Sequence, residues 1–279
     1  MEAMSTQTVS PAASGDTLNL ASSQADARAA EAVEEHHAEM AGALELKGQA
    51  LVAAARANDA AALQAAKDAL VSWSRRELVP HAQAEEETLY RAAATKDEAK
   101  LLVQAMLAEH AEIVALVEEL EHAKDAVAAL GATAALRRVF AIHLTKENEQ
   151  ILPLLVADPQ TNVAELLEGM HEIIGGGEAH EESSEAPAHG GGHGSCSCGE
   201  VDEEGYPELD VQTIPHAIRH ATLFGAIDAL GAGGGLILRA THDPVPLLAQ
   251  LAQRSPGVHQ VDYLERGPEF WRLQVVRQG

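Results

Sequence analysis

Between residues 24 and 174 the chain is built almost wholly from strong helix formers, interrupted by Ala57-Asn58-Asp59, Ala94-Thr95-Lys96-Asp97 and Gly131-Ala132-Thr133. Long runs of Ala, Leu, Glu and Lys with apolar residues at 3-4 spacing have one stable outcome, amphipathic helices that bury a stripe. Thr95 or Asp97 reads as the N-cap of the third helix, Gly131 as the residue that ends it and Thr133 as the cap of the fourth. The breaks thus predict helices near 24–56, 60–93, 98–129 and 134–156. Connections so short force sequential neighbours to run antiparallel, so the expected fold is mainly α, an up-down-up-down four-helix bundle. A fifth short helix is expected near 162–174, with Thr161 as cap and Gly175 as stop. Two Trp, three Tyr and three Phe in 279 residues suit close-packed Ala- and Leu-rich helices better than a sheet sandwich.

The flanking segments read differently. Residues 1–22 are Ser, Thr, Ala and Pro without periodicity and are expected to be a disordered tail. Residues 175–207, rich in Gly, Glu, His and Ser, read as a flexible linker. From 208 to 279 the pattern becomes a strand at 208–213, a helix at 215–230 and a strand at 235–240. A helix capped by Asp243 follows, and then a hairpin of 258–265 with 270–277. That order, βαβαββ, predicts a small two-layer α+β domain.

Charge and cysteine usage exclude whole classes of function. With 43 acidic and 19 basic side chains the formal charge is −24, which rules out a nucleic-acid partner held by phosphate neutralisation. No apolar run approaches the ~20 residues of a membrane span, and the N-terminus lacks the layout of a signal peptide, so no membrane is expected. Cys196 and Cys198 are the only cysteines, consistent with a reducing compartment and a cytoplasmic location. Against so few thiols stand 14 His.

Four of those histidines fall on the apolar stripes. His37 lies among Val33, Met40 and Leu44, and His81 among Leu78 and Leu89. His110 lies between Met106 and Ile113, and His143 between Phe140 and Ile151. Two are followed four residues on by a carboxylate, Glu85 and Glu147, and residues i and i+4 share a helix face. The set offers four imidazoles and two carboxylates able to bridge. Mixed ligands of this kind suit non-haem iron or manganese, with zinc or copper as other occupants. A lone core histidine is usually satisfied structurally, but a buried carboxylate is costly unless it is paired or metal-bound. His36 is the other first-helix candidate; His37 is preferred because it shares the stripe of Met40.

The motifs Val33-Glu34-Glu35-His36-His37, His81-Ala82-Gln83-Ala84-Glu85-Glu86, Glu109-His110 and His143-Leu144-Thr145-Lys146-Glu147 resemble the hemerythrin-like, His-His-Glu cation-binding proteins. The resemblance covers residues 33–156. It implies two non-haem iron ions bridged by Glu85 and Glu147, in a protein that binds or senses dioxygen or nitric oxide, or handles iron. Oxygen carriers of that family place a second His four residues after the third-helix one, where this chain has Val114. They also use a longer-spaced Asp on the last helix, where this chain has Glu147. The ligand set is therefore similar to the bacterial iron-centre repair branch. The readings are a sensor or binder of O2 or NO, a repair or peroxide-handling stress enzyme with a redox or iron-centre protein partner, and an iron store with a partner-binding module.

In the linker, Cys196 and Cys198 follow His189 and His193 and can ligate a soft metal, alongside the reading as plain solvated linker. Residues 208–277 resemble a small bacterial domain of unknown function similar to sulfur-carrier proteins, through Glu208-Leu209-Asp210-Val211, Arg219-His220, His242-Asp243-Pro244 and Arg266-Gly267-Pro268-Glu269-Phe270-Trp271. The Cys-Pro of those carriers is replaced by Pro215-His216. His216, His220 and His242 form a candidate second metal or ligand site.

Overall fold

A computed structural model describes Ala21 and residues 23–175, 206–214 and 218–278. The tail expected at 1–22 apart from Ala21, most of the linker with Cys196 and Cys198, and Pro215 and His216 lie outside the described residues. The first bundle helix, α1 (Gln24–Arg56), starts at Ser23, whose hydroxyl oxygen accepts from the Asp26 backbone. The second is a broken rod made of α2 (Ala60–Trp73), a π-helical turn at Ser74–Leu78, α3 (Val79–Glu87) and α4 (Leu89–Ala93). The third is α5 (Lys100–His122). The fourth joins α6 (Ala126–Lys146), a second π-helical turn at Glu147–Ile151 and α7 (Leu152–Val156). A shorter helix, α8 (Val163–Gly175), follows.

The turn between the third and fourth helices is not at Gly131–Thr133. Ala123 leaves the helix with extended backbone, and the Asp125 carboxylate caps α6 by accepting from the Ala128 N–H. Gly131 sits inside α6 facing open space and Thr133 is buried in its core stripe. An exposed helical glycine costs ~1 kcal/mol, an amount that a good cap such as Asp125 can offset. Neither Thr95 nor Asp97 caps the third helix. The Thr95 hydroxyl donates to the Ala92 carbonyl, and Asp97 opens a 3-10 turn. Nor does Thr161 cap α8. Asn162 Oδ1 accepts from the Glu165 N–H, while buried Asp26 accepts from the Val163 and Ala164 N–H groups. Residues 126–156 are also long and apolar enough, by length and composition, to cross a bilayer, where the sequence reading found no such run. Here that stretch packs in the bundle against α1 and α5.

Packing confirms the alternation of direction. One apolar cluster gathers Met40, Leu78, Ile113 and Phe140; another gathers Val33, Ala84, Met106 and Ile151. Along the chain the four rods visit these clusters in opposite order, so they run up, down, up and down. Between the clusters, on every rod, sits one histidine.

The C-terminal residues form a four-stranded sheet, in the order β1 (Glu208–Asp210), β2 (Gly235–Ala240), β4 (Trp271–Arg277), β3 (His259–Arg266). β1 pairs parallel to β2, and the remaining pairs are antiparallel. Helices α9 (Arg219–Asp228) and α10 (Val245–Arg254) complete the expected βαβαββ order. β1 is shorter than predicted, because the Asp210 carboxylate accepts from the Gln212 N–H and turns the chain into a 3-10 segment. Asp243 does not cap α10; its carboxylate accepts from the Tyr263 hydroxyl at 2.8 Å.

This domain packs on the bundle, α9 against α1. A Cβ added at Gly42 would lie 2.3 Å from the Ala226 nitrogen, and one at Gly225 would lie 2.0 Å from the Ala38 oxygen. The two helices therefore touch backbone to backbone, an approach that requires the missing side chains. Beside them Glu45 is paired with Arg137, and the Thr213 hydroxyl accepts from the Arg137 guanidinium at 3.1 Å.

Candidate metal centre

The histidine layer between the two apolar clusters contains all six residues singled out by spacing: His37, His81, Glu85, His110, His143 and Glu147. None is more than 3% exposed. Glu85 is the hub. Its Oε1 lies 2.7 Å from His81 Nε2 and 3.1 Å from His37 Nε2, and its Oε2 lies 3.4 Å from His110 Nε2. Glu147 Oε2 is 3.5 Å from His143 Nε2 and 3.8 Å from His37 Nε2. Two clusters result, His37–His81–Glu85 and Glu85–His110–His143, each with its ligand atoms within 4.8 Å of one another. Glu85 belongs to both, the position a bridging carboxylate occupies.

Three of the imidazoles are aimed by partners on their outer side. His37 Nδ1 is 2.7 Å from Asn148 Oδ1, His110 Nδ1 is 2.9 Å from Glu86 Oε1, and His143 Nδ1 is 3.2 Å from Glu109 Oε2. Oxygens of this type only accept, so each Nδ1 carries a hydrogen and donates it outward. Each Nε2 is thereby turned into the core, the arrangement that orients a metal-ligating imidazole. Glu109 is held in turn by Lys146.

Tests of fit to a cation come from three contacts. His110 Nε2 and His143 Nε2 are 3.0 Å apart, and two lone pairs that close need a proton or a metal ion between them. Both carboxylate oxygens of Glu147 and both ring nitrogens of His81 are buried without a hydrogen bond, although His81 Nε2 lies close to Glu85. For His37, burial works against the charged form, but the Glu85 hydrogen bond, the Glu147 and Glu85 charges and Asn148 outweigh it and raise the pKa to about 9. His110 is raised likewise: burial opposes, and Glu85 and Glu86 prevail. Burial pushes the Glu85 carboxyl up, yet the surrounding His81, His110 and His37 hold it well below the usual carboxylate range. Protons on these imidazoles thus compensate the carboxylates in the metal-free site, and a divalent cation can take their place.

Tyr90, Glu86, Glu109 and Asn148 were not singled out by spacing. The Tyr90 hydroxyl lies 3.1 Å from His143 Nε2, and its ring stacks on His110 at 5.1 Å. Burial, with Glu147 and Glu85 nearby, pushes its phenol up, so it stays a neutral hydroxyl. Adjacency was the available signal: Glu86, Glu109 and Asn148 each neighbour a ligand in sequence and orient a different one.

The remaining candidates fall elsewhere. His36 points away from the layer; it is half-exposed and 3.7 Å from Glu39, although its ring lies 4.9 Å from that of His81. His220 and His242 border one cavity of the C-terminal domain together with Arg219. Among the described residues no third metal-ligating side chain joins them.

Residues 28–155 match the family model described as the Hemerythrin HHE cation binding domain, and residues 208–277 match that of an Uncharacterized conserved protein (DUF2249). No curated protein and no solved structure matches the chain.

Proposed function

Because residues 28–155 make this chain a carrier of the hemerythrin HHE cation binding domain, we propose that it holds two non-haem iron ions in the histidine layer and binds or senses O2 or NO there, in the cytoplasm. The observation that carries the reading is the shared carboxylate. Glu85 reaches His37 and His81 with one oxygen and His110 with the other, a placement that serves two cations at once. Four imidazoles and two carboxylates suit iron or manganese, and zinc less well. When bound, an iron pair supplies electrons to a diatomic ligand.

The chain's own side chains supply the rest. Glu85 and Glu147 offset half the charge of two divalent ions within a layer closed to water on both sides by apolar clusters. Glu86, Glu109 and Asn148 fix ring orientation before any metal arrives, so little reorganisation accompanies loading. Tyr90, kept neutral, offers a hydroxyl hydrogen beside His110 and His143 to a ligand entering there.

The test is anaerobic ferrous loading of the purified chain, then elemental analysis and exposure to O2 or NO under a spectrometer. Two irons per chain and a reversible optical change are expected, and Glu85→Ala should lose more than half the metal. One zinc, or no iron after loading, would sink the assignment. A second reading, iron-centre repair or peroxide handling, is favoured by Val114, which leaves the third rod with a single imidazole in the layer, His110. Rapid autoxidation with iron release, in place of reversible binding, would select it.

A further inference from the structure

The histidine layer has two halves with matching inner ligands. Each half brings two imidazole Nε2 atoms and one oxygen of Glu85 together. Glu147 Oε2 stands almost equally far from His143 and His37, at 3.5 and 3.8 Å. The inner set therefore gives neither cation position an advantage. The difference lies behind the rings. Both imidazoles of the His110–His143 half donate to carboxylates, Glu86 at 2.9 Å and Glu109 at 3.2 Å. In the other half His37 donates to the neutral amide oxygen of Asn148 at 2.7 Å, and His81 Nδ1 is buried with no hydrogen-bond partner.

An imidazole that donates to a carboxylate is a stronger base at its other nitrogen, and its ring is fixed before a metal arrives. A charge-assisted bond is also about twice as strong as a neutral one, so the shorter Asn148 contact does not restore the balance. Lys146 offsets part of the Glu109 charge, but among the described residues no Lys or Arg pairs with Glu86, which faces His110 alone. We propose that the two cation positions are unequal: the His110–His143 position holds its ion firmly, and the His37–His81 position is the exchangeable one. The inference rests on the cation-binding reading of the layer and not on which small molecule the layer meets. Its consequence is that a chain short of iron keeps the ion beside the Tyr90 hydroxyl, which lies 3.1 Å from His143 Nε2, and gives up the ion beside His81.

Anaerobic titration of the full chain with ferrous iron, in competition with a chromogenic chelator, reads the two affinities. Two variants isolate one position each. His81→Ala, left with the His110–His143 position, should bind its ion about tenfold or more tightly than His143→Ala, left with the His37–His81 position. Two conservative changes keep both positions and test the cause, and they decide the matter if a single-position variant does not fold. Glu86→Gln should weaken the tighter ion about 10–100-fold and so narrow the gap. Asn148→Asp, which puts a carboxylate behind His37, should tighten the looser ion about tenfold and narrow the gap from the other side. Equal affinities in the two single-position variants, the reverse order, or a gap that neither Glu86→Gln nor Asn148→Asp moves would each overturn the proposal. A chain that takes up no iron would overturn the metal centre and this inference together, whereas two ions of equal affinity would overturn the inference alone.

Discussion

The bundle and the C-terminal domain bury their polar groups by opposite policies. Between 206 and 278 the core is Leu209, Leu236, Leu238, Leu273 and Val275 with their helices, and Thr222 is the one buried polar side chain among the described residues. Such a core closes on hydrophobic contact alone. The bundle instead interrupts its two apolar clusters with four imidazoles and two carboxylates. It therefore folds fully only when protons or cations neutralise that layer. One domain is finished by its sequence, and the other by its sequence and the protons or cations that neutralise the layer.

Metal removal tests this contrast most severely. An ion bound a thousandfold above its Kd stabilises by about 4 kcal/mol, and chelation should therefore lower the melting point of the bundle by about 10 °C. Each domain has its own tryptophan, Trp73 and Trp271. In a Trp73→Phe chain, Trp271 fluorescence should report a C-terminal transition that chelation leaves in place while far-ultraviolet circular dichroism follows the bundle. Coincident bundle curves with and without metal would mean that the polar layer satisfies itself.

The next effect separates the two regions. Gly42→Ala forces a methyl into the α9 backbone, an overpacking of about 1–3 kcal/mol. Small-angle X-ray scattering should show the domains parted while metal content stays the same. An unchanged scattering profile would show that the glycine contact is not what holds them.

Smaller still is the loss on disturbing an orienting partner. Glu86→Gln or Asn148→Ala should weaken the metal about 10–100-fold in a chelator competition. Unchanged affinity would remove these residues from the site.

The last effect is a drift with pH in the metal-free chain. The folded His37 pKa of about 9 lies above its ordinary value near 6.5. Its stabilising contribution is complete below about pH 6.5 and disappears as pH rises through about 9. Glu85 runs the other way: its contribution is present above the ordinary carboxylate range and is lost as acid reaches its lowered pKa. Metal-free melting should therefore fall between about pH 7 and 9, whereas the loaded bundle should hold. A flat metal-free profile would contradict the protonated core.

The six residues of the layer were legible because five sit in regular helix and Glu147 opens its π-helical turn only after the helical turn from His143 is complete, so a 3-4 period and an i, i+4 offset still translate into one face. Asn148, Glu86 and Glu109 were not, because a polar residue beside a ligand looks the same whether it faces solvent or reaches a neighbouring rod. Tyr90 was hidden by geometry: Thr88, with φ −116° and ψ −85°, breaks the rod between α3 and α4, so the stripe extrapolated through Leu89 no longer says where the next residue points. The misplaced turn came from weighting Gly131 above Asp125, a propensity against a cap. The docking of α9 on α1 had no signature, since Gly42 and Gly225 lie in helices and only the facing backbone reveals why no side chain fits.

The two π-helical turns have a consequence for evolution and design. At Ser74–Leu78 and again at Glu147–Ile151 the rod takes one residue more than a regular turn would, closed by bonds from the Val79 N–H to the Ser74 oxygen and from the Leu152 N–H to the Glu147 oxygen. Such a surplus residue can creep along a helix, and each residue it passes swings by about 100°. Pro80 and Pro153 stand directly downstream. Lacking the N–H and colliding with ordinary helical carbonyls, they hold the surplus where it is. They act as ratchet stops on registry, keeping the azimuth of His81 and Glu147 fixed by residue count rather than by local rigidity.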